Sequence, residues 1–242
     1  MGELQTSVKQ PRTSRWSRFW QGFHQATPIM LGYGPIGFAY GVLARQGGLT
    51  LGQTIGMSIF VYAGSAQFIA VGMFAVGAGL IPIVVTTFLV NLRHLLMTAA
   101  LSPHLKGFSR PLLGLLAFHI TDETFALHSN NFASRPADAY SMFGLNLASY
   151  LMWVTSSAVG GLIGNSVVDP ARFGLDFALP AMFIALLCLQ VKNRLHIFIA
   201  IIAGVTSILV ACYFPGNWNV ITATVVAATI GLVIEQWKAP SS

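Results

Sequence analysis

The sequence predicts an all-α fold: a polytopic integral membrane helical bundle of about eight transmembrane segments, with Gly-rich discontinuous helices among them. Of the 242 residues, 55% are hydrophobic and 8% are charged. A soluble domain carries roughly 25% charged residues, so most of this surface must face lipid. The mean hydropathy of +0.69 agrees. Apolar runs recur near 24–44, 53–76, 80–101, 111–127, 139–164, 174–191, 195–213 and 218–235. Each is close to the roughly twenty residues that one crossing needs. Seven is the other count these runs allow. Residues 1–23 read as a basic N-terminal tail and an interfacial amphipathic helix, and 24–238 as a single transmembrane domain with no room for a second, soluble one.

Taken in order, the tail holds Lys9, Arg12, Arg15 and Arg18. The formal charge of +6 lies there and in single or paired residues between apolar runs. That is the pattern of topology signals and headgroup contacts, and it does not suggest nucleic acid. Trp16, Phe19, Trp20 and Phe23 follow at helical spacing, as in a helix lying in the interface. The first run lacks a clean cleavage site and reads as an uncleaved helix. It contains Gly32-Tyr-Gly-Pro-Ile-Gly-Phe-Ala-Tyr-Gly41, and the second contains Tyr62-Ala-Gly-Ser-Ala-Gln67. Transporters use such interrupted helices at the bilayer midplane to expose backbone N–H and C=O groups to a substrate. Phe-Ile-Ala at 68–70 and again at 183–185 hints at an internal repeat. Cys188 and Cys212 each lie in an apolar run and read as small packing residues. With the N-terminus inside and eight crossings, the basic residues divide eight inside to four outside. The basic connection His104–Arg110 then falls on the wrong side. A re-entrant 53–76 would correct that loop but would move Lys192 and Arg194 out.

Charge inside the apolar runs is the most informative feature. An isolated ionised side chain at the bilayer centre costs about 3 kcal/mol or more, so it must pair, face water or titrate. The third run carries Asn91-Leu-Arg-His94, and the fourth carries His119-Ile-Thr-Asp-Glu123. On an unbroken helix His119 and Glu123 share a face. The two runs are joined by a short loop and should pack as an antiparallel pair, with Arg93 against Asp122 or Glu123. Arg93, His94, His119, Asp122 and Glu123 are the candidate ion-pair and proton-coupling group. Adjacent acids sharing one cation titrate as a coupled set, and His119 could relay a proton. As a metal site, His119 and Glu123 would still lack an evident third ligand, and no cofactor is indicated. His24, His104, His128 and His196 read as interfacial, and Asn146 as a hydrogen-bonding group between helices.

Phe60-Val-Tyr-Ala-Gly-Ser-Ala-Gln-Phe68, then Asn91-Leu-Arg-His94, then Thr121-Asp-Glu-Thr-Phe125 closely resemble the AzlC family, as does the Gly/Pro-rich Gly34–Gly41 segment. The resemblance covers nearly the whole chain from about residue 20. It implies the large subunit of a branched-chain amino-acid exporter in the bacterial inner membrane, multi-pass, and the charge distribution above puts the N-terminus in the cytoplasm. Such a subunit works with a small AzlD-type membrane subunit and exports Val, Leu, Ile and often Met, driven by protons.

At the matched positions, physical inference gives Tyr62, Gly64, Ser65, Gln67 and Asn91 as candidate substrate-binding residues. The substrate carboxylate would meet backbone N–H groups near Gly64 and Ser65. Met57 or Phe68 would receive its side chain. A passive channel or structural subunit is one alternative. An intramembrane serine hydrolase is a remote one, since Ala63-Gly-Ser-Ala66 lacks the Gly-x-Ser-Gly pattern and no partner histidine is evidently placed.

Overall fold

The computed structural model describes residues 14–177, 193–213 and 218–238, with isolated positions between 180 and 191. They fall into two compact units that divide between 182 and 183. Among the described residues all regular structure is helical, and the chain is a helical membrane bundle.

In the first unit, α1 (Arg15–Gln25) is the amphipathic helix that the aromatic spacing predicts. Its first turn is capped by Ser14, whose Oγ accepts from the Trp16 N–H at 3.3 Å. Trp16 and Trp20 stay exposed. The chain bends at Ala26 and enters α2 (Thr27–Gln46), with Pro28 in the first turn, where its missing N–H is harmless. Contrary to the expectation of a break in the first run, α2 continues through Pro35. The proline leaves the Leu31 carbonyl without its helical donor, which membrane helices tolerate; nearby, the Ser156 hydroxyl donates to the Tyr33 carbonyl at 3.2 Å.

Helix α8 (Ala139–Ile163) lies along α1 and α2. Gly22 abuts Ser141, Gly37 abuts Ser156, Gly41 abuts Ser157, Gly160 abuts Phe38 and Gly164 abuts Arg45. The paired numbers rise together, so α8 runs parallel to α2. At Gly22, Gly41 and Gly160 an added Cβ would strike backbone atoms, which is the close approach that small residues permit. Gly41 facing Ser157 and Gly160 facing Phe38 is a reciprocal exchange, the kind two copies of one motif make. The second Phe-Ile-Ala, at 183–185, lies largely outside the described residues.

Two of the apolar runs are each folded as a pair of short helices. The run 53–76 forms α3 (Leu51–Phe60) and α4 (Gly64–Ala75). Helix α3 starts four residues beyond Gly47, and α4 comes back to it: Val71 Cγ1 is 3.2 Å from where a Cβ of Gly47 would stand. In between, the Tyr40 O–H donates to the Thr54 carbonyl at 3.2 Å while the Tyr40 ring meets Phe68 at 5.7 Å. The pair therefore enters from the C-terminal end of α2, turns at 61–63 and returns to the same end.

The run 111–127 does the same from the other end. It forms α6 (Arg110–Phe118) and α7 (Asp122–Phe132). His104, just before α6, stacks on Phe132 at 5.1 Å, and Asn131 and Arg135 donate to Gln25 at 3.2 and 2.9 Å. Helix α5 (Leu80–Leu101) connects the two pairs and turns an apolar face outward with Leu80, Ile81, Val84, Phe88, Leu95 and Leu96. Helices α3, α4, α6 and α7 are 10, 12, 9 and 11 residues long. At 1.5 Å per residue none reaches more than about 18 Å, well short of the roughly 30 Å hydrocarbon layer.

After α8, short 3-10 turns at Gly164–Ser166, Ala171–Phe173 and Leu175–Phe177 close the first unit. Eight of the 18 residues of the predicted segment 174–191 lie outside the described residues. The second unit contains α9 (Arg194–Tyr213) and α10 (Trp218–Lys238), which pack together with Ile199 against Gly231. Helices α5, α8 and α9 are each long and apolar enough to cross a membrane.

Candidate functional site

The two breaks, 61–63 and 119–121, meet in the middle of the first unit. The Tyr62 ring lies 6.5 Å from Phe118 and 6.2 Å from His119. Between them is a cavity lined by Tyr33, Tyr62–Ser65, Arg93, His94, Thr121–Glu123 and Trp153. Its volume is about 20 Å³, room for roughly one ordered water and too small for an amino acid. Both α4 and α7 begin at this cavity. Two half-helix N-termini, each the positive end of a helix dipole with unbonded N–H groups, therefore face each other across it.

The α4 tip is made by backbone and glycine. Tyr62 takes φ +43°, a left-handed conformation that is unusual for a bulky residue. Its ring is held by Tyr150 (4.9 Å), Phe118 and His119. Its hydroxyl is buried, with no hydrogen-bond partner among the described residues. Gly64 is required because a Cβ there would lie 2.9 Å from Trp153 Cη2. Gln67 holds the turn closed. Its Oε1 accepts from the Ala63 N–H (3.2 Å) and from Trp153 Nε1 (3.0 Å), and its Nε2 donates to Ser58 Oγ (3.2 Å).

The α7 tip is made by side chains. Thr121 and Thr124 form a capping box: the Thr121 N–H donates to Thr124 Oγ1 at 2.8 Å and the Thr124 N–H to Thr121 Oγ1 at 3.4 Å. Asp122 and Glu123 occupy the first turn, where a negative charge suits the dipole. The Tyr33 hydroxyl lies 2.6 Å from Glu123 Oε2 and 2.7 Å from Thr121 Oγ1. With one hydrogen, it donates to one of them at a time.

Arg93, in the middle of α5, joins the tips. Its Nη2 donates to Ser65 Oγ, and its Nη1 lies 2.8 Å from Asp122 Oδ2. Of the two acids available to the arginine, Asp122 takes it, and Glu123 is left with the tyrosine.

Several expectations need correction. His119 and Glu123 do not share a helix face, because the chain breaks between them. His119 lies behind the tip, with Nδ1 2.8 Å from the Leu115 carbonyl and its ring 5.0 Å from Tyr150. Gln67 does not line the cavity, since its polar atoms are committed to the turn. Asn91 does not line it either. Its side-chain oxygen is buried elsewhere on α5, while its carbonyl lies 3.2 Å from His94 Nδ1. Phe68 packs on Tyr40, and neither it nor Met57 reaches the cavity. His128 is not interfacial: it is fully buried, with Nε2 2.8 Å from Asn146 Oδ1. Tyr33 and Trp153 were not foreseen as lining residues. The one signal for Tyr33 is its place between two glycines, and for Trp153 that it is the one tryptophan on a helix rich in Gly, Ala and Ser.

The AzlC protein family matches residues 28–167, which include both tips, Arg93 and all of α8. The branched-chain amino acid transport protein AzlC of Bacillus subtilis is 30% identical over 216 residues, covering 88% of this chain and 83% of its own. The inner membrane protein YgaZ of Escherichia coli is 30% identical over 78% of this chain and 81% of its own. An uncharacterized membrane protein of Helicobacter pylori is 32% identical over 73% and 77%. No solved structure matches the chain.

Proposed function

The chain belongs to the AzlC family, and from that premise we propose that it exports hydrophobic amino acids, Val, Leu, Ile and Met, across the bacterial inner membrane in exchange for protons, as the large subunit of a pair with a small AzlD-type protein. The observation that carries this reading is the meeting of two half-helix N-termini across Arg93. An amino acid brings one negative and one positive group a few ångströms apart. The α4 tip offers Gly64 and Ser65 N–H groups with no acid beside them, and the α7 tip offers Asp122. In the closed form described above, Arg93 bridges Ser65 and Asp122 by donating to both. Substrate entry then means that the carboxylate takes Ser65 and the α4 N–H groups, while the ammonium takes over Asp122 and Arg93 withdraws. Tyr62, with its unpartnered hydroxyl, Tyr33 and Trp153 form an aromatic wall suited to an apolar side chain and to an ammonium over a ring face.

Glu123 is the proton carrier in this scheme. It faces the same cavity, has no cation of its own, and shares a hydrogen bond with Tyr33. Neither rival reading fits as well. A passive pore does not agree with a central cavity of about 20 Å³ closed by an ion pair. For a serine hydrolase, Ser65 Oγ is held by Arg93 and His94 points at its own helix, so no nucleophile–base pair is set up.

The returning pairs also bear on orientation. With α3–α4 and α6–α7 each going back to its own side, and 174–191 crossing as the sequence predicts, six of the eight segments cross. With the N-terminus in the cytoplasm, ten of the 13 Lys and Arg then lie inside, including Lys106, Arg110, Lys192 and Arg194. Only Arg45 and Arg172 lie outside, and Arg93 is within. The conflict at His104–Arg110 disappears, as the positive-inside rule asks.

The test is counterflow of labelled valine, leucine and methionine in proteoliposomes, with and without the small subunit. Saturable exchange that concentrates label, and responds to an imposed pH gradient, is expected. Linear flux without saturation or pH response would refute the carrier reading.

A further inference from the structure

A second cavity lies away from the tips, where α1, the end of α7 and the start of α8 come together. Its volume is about 400 Å³, within the roughly 300–1,000 Å³ of small-molecule sites. Arg18, Arg135, His128, Asn131 and Ser141 are among its lining residues. Its positive groups are only partly neutralised. Arg18 pairs with Asp138 through Nη1, yet its Nε is buried and has no partner among the described residues. Arg135 is held by the neutral Gln25 rather than by an acid. Behind the lining, His128 bonds Asn146 Oδ1, and Asn146 Nδ2 is a further buried donor without a partner among the described residues. Buried unpaired donors are costly and in native proteins usually mark a ligand or function. Here one of them belongs to a lining residue, Arg18, and the other stands behind the lining on His128, while the single lining acid, Asp138, is paired with Arg18 and leaves the Arg135 charge to its neutral partner Gln25.

The cavity also shares a helix with the central site. His128 and Thr124 stand one turn apart on α7, both fully buried, and Thr124 caps the helix tip that carries Asp122 and Glu123. The larger cavity and the central one are thus the two ends of a single half-helix.

We propose that the cavity is an antechamber that binds the amino acid by its carboxylate, on Arg135 and the Arg18 Nε–H, before it passes along α7 to the tips. The inference rests on the reading of the chain as an amino-acid exporter. The ligand class is a small free carboxylate with a compact apolar side chain, which Met142 and Phe132 in the lining would accept.

The test places a single thiol in the cavity, Ser141→Cys, with Cys188→Ala and Cys212→Ala, in proteoliposomes of phosphatidylcholine. Maleimide labelling of that thiol is followed with added leucine, or with leucinamide, which lacks the carboxylate. Leucine should slow labelling and leucinamide should not. Arg135→Gln should raise the half-protecting leucine concentration by about tenfold or more, as expected for losing a hydrogen bond to a charged group. Ser65→Ala, at the central site, should slow transport yet leave protection intact. Equal protection by leucinamide, or none by any amino acid at concentrations that saturate transport, would overturn the antechamber and leave the exporter reading standing. So would labelling that responds to added phosphatidylglycerol but not to leucine, which would make the cavity a lipid-headgroup site. Protection by leucine in a protein that transports no amino acid would uphold the cavity and refute the exporter reading.

Discussion

The α4 tip and the α7 tip have the same geometry and opposite chemistry. The α7 tip satisfies itself: a threonine capping box ties its first turn, and Asp122 and Glu123 answer the helix dipole from within. The α4 tip does not. Its N-cap, Ala63, has no side chain to offer, and its first turn carries no acid. The turn is shaped instead by Gln67, by a glycine under Trp153, and by a tyrosine in a left-handed conformation. A tip that supplies its own anion is ready for a cation, and a tip that lacks one is ready for an anion. Arg93 meets the first need while the site is closed, by pairing with Asp122, and at the α4 tip it donates only to the Ser65 hydroxyl, so the need for an anion there stays open.

Arg93→Gln is the most damaging way to break the comparison. It leaves the part-buried Asp122 without its cation; removing one member of a fully buried ion pair costs about 3–5 kcal/mol, and this part-buried one less. Folded yield and melting temperature in detergent should drop sharply. Adding Asp122→Asn should restore most of the stability but not the transport, which separates the structural from the substrate-binding part of the pair. Next is Gly64→Ala, whose methyl would press on Trp153; overpacking of this kind costs about 1–3 kcal/mol, and counterflow should fall with it.

Thr121→Ala tests the self-capped tip alone. Loss of the cap should cost about 1 kcal/mol, read as a small fall in melting temperature. Tyr62→Phe should be the mildest. Deleting a buried hydroxyl without a partner should leave the melting temperature equal or slightly higher, while the KM for leucine rises if that hydroxyl meets substrate. Glu123→Gln sharpens the comparison without breaking it. Exchange of leucine for leucine should continue, while the response to a pH gradient disappears.

The two tips also differ in how far the sequence reveals them. Tyr62-Ala-Gly-Ser-Ala-Gln67 looks irregular on inspection, because glycine and small polar residues interrupt an apolar run. His119-Ile-Thr121 contains neither glycine nor proline, and Asp122 and Glu123 sit at helical spacing from His119, so the run reads as one continuous helix. Its stop is a Thr-x-x-Thr capping box, a weak signal when both threonines are also ordinary membrane residues. The charges Arg93, Asp122 and Glu123 were legible because lipid makes them expensive. Tyr33 and Trp153 were not, since an aromatic residue on a membrane helix looks the same whether it faces a core, a lipid or a cavity. The return of each pair to its own side depends on contacts such as Val71 with Gly47 and His104 with Phe132, which no local pattern announces.

The glycine seam between α2 and α8 has a mechanical consequence. Where backbone touches backbone there are no rotamers to absorb a shift, so this pair cannot slide or roll by a fraction of a turn without colliding. It behaves as a stator. Whatever moves to admit and release cargo has to be the short helices hung beside it. Their outer ends lie at opposite faces, and at the centre Arg93 ties one tip to the other.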